Sequence, residues 1–199
     1  MAELFVEILG KPHGFIVFQL LAACRFTIYL SLIAFVGGGA VACLVTLLRI
    51  SNVPSLQKFA TSFIWIFQSI PLLMLLFLIG LGMPRLLDVN VDPWTAATIS
   101  LVLFTAAYLA EVWRGAIESV ARGQWEASYA LNIRYSLLLR DIILPQAIKF
   151  GVAPTVGFMV QIIKGTSLAY IIGFNDLMLV GKRWANAPVL GSEIGRAHV

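Results

Sequence analysis

The stretch that decides the reading is residues 111–145, EVWRGAIESVARGQWEASYALNIRYSLLLRDIILP. It is polar and charged and lies between long apolar runs, so it marks where a membrane-embedded chain meets water. Glu111, Arg114, Glu118 and Arg122 recur at helical spacing, which puts alternating charges on one side of a helix. Then Trp125, Ala127, Ala130 and Leu131 give a small or apolar pattern that Asn132 interrupts. Leu137, Leu138, Leu139, Ile142 and Ile143 resume it. This predicts two short helices joined by a turn at Asn132, the second stopped by Pro145. The turn wants positive φ, which Gly adopts most cheaply and Asn next. Small side chains at Ala127, Ser128 and Ala130 would let another surface approach the backbone. Such a knob fits a docking element, an interfacial anchor or a loop packed on its own bundle.

Working outward, the composition sets the class. Of 199 residues, 60% are hydrophobic and 12% charged, with a mean hydropathy of +0.91. A soluble domain carries about twice that charge. The chain therefore reads as all-α and polytopic. A net charge of +4 with no basic, aromatic-interleaved patch points away from nucleic acid. Spans are expected at about residues 27–48, 59–81, 94–110 and 150–174, with 14–24 as an interfacial helix leading in. Gly37, Gly38 and Gly39 in the first span suit close helix packing. Gln68, Ser69 and Pro71 interrupt the second, and Lys164-Gly165-Thr166-Ser167 the fourth. Polar groups and proline at membrane depth should face protein or a wet cavity.

Cation counts orient the spans. Arg49 and Lys58 follow the first, and Arg114, Arg122, Arg134, Arg140 and Lys149 follow the third, so both loops are expected in the cytoplasm and the N-terminus outside. Lys182 and Arg183 then fall outside, against the rule. Glu3 and Glu7, without a basic n-region, argue against a cleaved signal. Cys24 and Cys43 on one helix would lie roughly 28 Å apart, too far for a disulfide. With only His13 and His198, no metal site is read, and no catalytic nucleophile, base or metal constellation is visible.

Residues 126–145 resemble the EAA loop of ABC importer permeases: E-A-A, three residues, G, nine residues, I-x-L-P. Glu126 and Ala127 match, Ser128 replaces the second Ala, Asn132 stands at the Gly, and Ile142, Leu144 and Pro145 complete the pattern. AYLAEVWRGAIESVARGQWEA resembles the lead-in segment of the polar amino acid subfamily. IKGTSLAYIIGFNDL is similar to its K-D-T-S-L-A-x-x-I-G segment, with Gly165 for Asp, and FQSIPLL to its F-R-G-T-P-L-L, with Gln68 for Arg. The resemblance covers about residues 20–180.

The resemblance implies a type I ABC importer permease in a bacterial cytoplasmic membrane, working by alternating access. It implies as partners a cytosolic ABC ATPase dimer, a second permease subunit, an extracytoplasmic amino-acid-binding protein and membrane lipid. ATP and Mg would sit on the ATPase, and no cofactor on this chain, which has no G-x-x-x-x-G-K-[ST]. Its coupling residues would be Gly123, Glu126, Ala127, Ser128, Ala130, Asn132, Ile142, Leu144 and Pro145, in a loop at about 122–145. Translocation-path candidates are Gln68, Pro71, Gln161, Lys164, Thr166 and Ser167, Lys164 being suited to a substrate carboxylate. The alternative is an ATP-independent channel or secondary carrier.

The family has five spans, and only thirteen residues follow Asn186, too few to cross a core of ~30 Å. Residues 193–199, EIGRAHV, match the translation of GAGATCGGAAGAGCACACGTC, which resembles a common sequencing-library adapter. The expectation is a transmembrane domain over 1–192 with a non-native tail over 193–199, the native frame continuing past about residue 190 into a fifth helix. His198 would then carry no function.

Overall fold

A computed structural model describes residue 10 and residues 13–186. The expected tail at 193–199, and Glu3, Glu7 and His198, lie outside the described residues. The described residues form helices in chain order: α1 (His13–Arg49), α2 (Pro54–Ser69), α3 (Leu72–Phe77), α4 (Met83–Leu87), α5 (Pro93–Glu118), α6 (Arg122–Ala130), α7 (Tyr135–Leu137), α8 (Leu144–Thr166) and α9 (Leu177–Ala185). Two π-helical turns, Leu78–Gly82 and Leu138–Ile143, and a 3-10 helix, Ser167–Ile172, join some of them.

Three helical stretches are long and apolar enough to cross a membrane: His13–Arg49, Pro93–Glu118 and Tyr135–Ile172. A fourth results if the bent pair Pro54–Ser69 and Leu72–Leu87 counts as one span. Three of the four expected spans are thus found, with different bounds, and the expected second span corresponds to the bent pair. Residues 14–24 are not a separate interfacial helix, because GFIVFQLLAAC contains no breaker and runs straight on within α1. The third helix continues past Ala110 to Glu118, since its charges pair along the helix and leave it intact. Cys24 and Cys43 both lie on α1 and are free.

Two further expectations are corrected. Pro145 does not stop a helix: it is the second residue of α8, which runs on directly from the π turn Leu138–Ile143. The π turn before it takes up the local misfit, the Leu144 amide donating five residues back to the Leu139 carbonyl. The chain also stays helical through Lys164-Gly165-Thr166-Ser167, tightening from α to 3-10 at Ser167 instead of breaking. By contrast, the second span breaks where expected. Ile70 is extended at φ −97, ψ 120, the conformation a following proline imposes on its predecessor.

The chain forms two compact units. One comprises residues 1–32, 73–99 and 163–199; the other comprises 33–72 and 100–162. In the first, Trp94 packs on Phe174 with ring centroids 5.3 Å apart, and the Trp184 indole donates to Gln19 Oε1 at 2.8 Å. In the second, the C-terminal part of α1 lies against α5 through glycine. A Cβ on Gly38 would come within 2.5 Å of the Thr105 Cβ and 3.1 Å of the Val102 carbonyl. That close approach is what the glycine run was expected to permit. Towards α8, Trp113 donates to Thr155 Oγ1 at 3.0 Å. There Tyr108 stacks on Phe158 at 5.5 Å.

Candidate functional site

The knob at 122–145 lies wholly in the second unit. Its first helix, α6, ends as the sequence predicts. Asn132 takes φ +55. The Asn132 amide donates to the Tyr129 carbonyl at 2.9 Å, and the Ile133 amide to the Ser128 carbonyl at 3.0 Å. These two bonds make a Schellman motif, in which a left-handed residue satisfies the last helical carbonyls. Asn tolerates that region because its short polar side chain avoids the clash a branched residue suffers.

Under the turn sits a buried cluster of Ile117, Val120, Leu138, Ile143 and Ala147, against which Trp125, Ile133, Ile142 and Leu144 pack. Tyr135 also belongs to this packing and donates its hydroxyl to the Ile50 carbonyl just past α1, at 2.8 Å. The knob is therefore fastened both to the end of α1 and to the start of α8.

The expected coupling residues divide in two. Gly123, Glu126, Ala127, Ala130 and Asn132 are exposed on α6 and its turn, and Pro145 is exposed on α8. Ser128 is 3% exposed, and its hydroxyl donates to the Gln124 carbonyl at 2.6 Å. It faces inward, so it holds the helix down and does not offer a surface. Ile142 and Leu144 are half-buried and belong to the supporting packing. Two exposed apolar residues of the outer face were missed, Tyr129 at 58% and Leu131 at 73%. Their signal was available: Tyr129 sits among the small residues of α6, and Leu131 directly follows them.

Just before the knob, Arg114 clamps two acidic side chains. Its Nε lies 3.0 Å from both Glu111 carboxylate oxygens, and it also pairs with Glu118. Arg122 belongs to α6, outside this ladder, because α5 ends at Glu118.

The translocation-path candidates are not gathered into one site. The Gln68 amide nitrogen donates to the Ala107 carbonyl at 3.3 Å, and Pro71 is exposed at the helix break. Gln161 and Lys164 are exposed on α8. The Thr166 and Ser167 hydroxyls donate to the Ile163 and Lys164 carbonyls at 2.8 and 2.6 Å, so both are turned back on their own helix. Gln68 instead lines a pocket of about 120 Å³ with Arg49, Thr61, Ile64, Trp65 and Glu111. A larger cavity of about 440 Å³ lies between α1, α5 and α8 and is walled almost entirely by aliphatic groups.

The family described as "Binding-protein-dependent transport system inner membrane component" matches residues 34–191. The chain is 34% identical over 153 residues to the probable amino-acid ABC transporter permease protein YckA of Bacillus subtilis, covering 77% of this chain and 67% of that protein. It is 35% identical over 167 residues to the L-cystine transport system permease protein TcyB of the same organism, covering 84% and 68%. Among solved structures it resembles an amino acid ABC transporter crystallised with histidines, at a TM-score of 0.80 and 27% identity, covering 85% of this chain and 78% of that one. The chain belongs to the family of binding-protein-dependent transport system inner membrane components, the permeases of ABC transporters.

Proposed function

We propose that this chain is the permease subunit of an ATP-driven importer of polar amino acids, coupled through α6 to a cytosolic ABC ATPase. A second permease subunit, identical or related, would complete the pathway, and an extracytoplasmic binding protein would deliver the substrate. The membrane would be the bacterial cytoplasmic one. The amino-acid relatives support the substrate class.

The observation that carries the coupling is the shape and fastening of α6. A nine-residue helix (Arg122–Ala130) exposes Glu126, Ala127 and Ala130, with Leu131 exposed just past its end, while its inner side is packed into a buried cluster. An exposed face of small residues beside an apolar anchor suits insertion into a groove. A knob loosely attached would be displaced alone. This one is held by the Tyr135 bond and by Ile142 and Leu144, so a push on it passes into α8. ATP-driven closure of the ATPase dimer would move α6, and with it the helices that line the path. Hydrolysis belongs to the partner, where ATP and Mg bind.

Glu126→Lys tests this in proteoliposomes containing the permease, its ATPase and its binding protein. ATP-dependent uptake is expected to disappear while membrane insertion stays normal. Normal uptake in that variant, or uptake by wild type without ATP, would refute the coupling and favour an ATP-independent carrier.

A further inference from the structure

The small pocket beside Gln68 has chemistry that the coupling function does not use. It is enclosed by the end of α1, the first helix of the bent pair and the last turns of α5. Its charged walls are Arg49 and Glu111. Arg49 is near enough to act on the Glu111 carboxylate electrostatically. Among the described residues it nevertheless makes no ion pair with it, its guanidinium donors being unmatched by any hydrogen bond or salt bridge. An arginine so placed presents a planar fork suited to a carboxylate.

Glu111 is only partly occupied. Arg114 engages both of its oxygens, yet a carboxylate offers about four lone-pair sites, which leaves room for a further donor. The Gln68 amide is oriented by a carbonyl, which only accepts. Its nitrogen must therefore face Ala107, which leaves Oε1 as a spare acceptor at the pocket. Thr61 Oγ1 donates to the Gln57 carbonyl at 2.6 Å and keeps acceptor capacity too. Ile64, 4% exposed, forms the apolar wall, and Trp65, 72% exposed, stands at the mouth. A volume of about 120 Å³ holds about four waters, roughly the space of an ammonium, a Cα and a carboxylate together.

We infer that this pocket binds the zwitterionic head of an α-amino acid, with its carboxylate on Arg49 and its ammonium between Glu111 and Gln68 Oε1. The side chain would leave past Trp65, so the pocket reads the head common to all amino acids and leaves the side chain unread. This inference rests on the reading of the chain as an amino acid importer, and deepens it by naming where the cargo's head is held. Two opposite charges about a small polar chamber favour a molecule carrying both complementary charges, because one that lacks either forgoes a charge-assisted hydrogen bond.

Saturation-transfer NMR on the full chain in detergent micelles tests this with L-alanine, N-acetyl-L-alanine and L-alaninamide. L-alanine is expected to bind, and the two derivatives, each lacking one charge, to bind on the order of tenfold more weakly or not at all. Arg49→Gln and Glu111→Gln should each weaken L-alanine by a similar factor, and Arg49→Lys, which keeps the charge but loses the fork, by less. If Arg49→Gln fails to fold, Gln68→Leu removes the neutral acceptor, together with the amide's bond to Ala107, and should still weaken L-alanine severalfold. No L-alanine signal, equal binding of the derivatives, or wild-type affinity in the variants would overturn the inference. Co-purification of the ATPase with the same preparations tests the coupling separately. Lost binding with retained docking, and retained binding with lost docking, are different results.

Discussion

At the residue scale, Asn132 and Asp176 show how single side chains hold local geometry. Asn132 sits at φ +55, where a β-branched residue costs about 1–2 kcal/mol. Asn132→Gly should leave stability and uptake unchanged or slightly improved, while Asn132→Val should lower the melting temperature and uncouple uptake from ATP. Thermal melts and proteoliposome assays read both. Asp176 begins α9, its Oδ1 accepting from the Leu179 amide at 2.8 Å. The residue is 1% exposed, and Oδ2 has no hydrogen-bond partner among the described residues.

Burial holds the Asp176 carboxyl above the usual carboxylate range, against the lowering effect of the amides at its helix start. The folded state thus keeps this proton to higher pH than the unfolded chain does. The stability that comes with it is complete below the ordinary carboxyl value of about 3.9 and is lost as pH rises through the raised one. Asp176→Asn keeps the capping oxygen and removes the titration. Its melting temperature should fall less between pH 4 and pH 8 than that of wild type. Asp176→Ala should lose about 1 kcal/mol through the missing cap. Equal pH profiles for wild type and Asp176→Asn would contradict this account of the burial.

At the element scale, both π turns end two residues before a proline. Met83 donates to the Leu78 carbonyl ahead of Pro84, and Leu144 to the Leu139 carbonyl ahead of Pro145. A proline cannot donate, and its ring crowds the carbonyl four residues back. Widening the preceding turn by one residue relieves that crowding without breaking the helix. This is why Pro145, read from sequence as a stop, lies inside a continuous helical stretch. The α1–α5 contact depends on Gly38 in a more direct way. A methyl there would overlap Thr105, so Gly38→Ala should destabilise by about 1–3 kcal/mol. Thermal unfolding in detergent measures it, and a wild-type melting temperature would show that the two helices part without cost.

At the scale of the whole molecule, what was legible followed from local chemistry. The Asn132 turn, the glycine approach and the break before Pro71 are each set by one residue's backbone preferences, and all three stand as expected. The placement of Ser128 and of the Arg49–Gln68–Glu111 pocket was not legible. Ser128 turns inward because of how α6 rolls on its cluster, and the pocket joins three helices separated in sequence. Helical spacing alone made Glu111 part of a solvated ladder with Arg122, because it could not show that α5 ends at Glu118. The polar interruptions at Thr166 and Ser167 looked like a broken pathway segment, but their hydroxyls bond back to their own helix.

The central claim is that α6 is the surface by which a cytosolic ATPase drives this permease. Photo-crosslinking from α6 in the assembled transporter tests it most directly, with the probe placed in turn at Ala127, Ala130, Leu131 and the inward-facing Ser128. Adducts with the ATPase are predicted from Ala127, Ala130 and Leu131, with Ser128 giving adducts only within its own chain. Absence of any ATPase adduct from the three exposed positions would contradict the account.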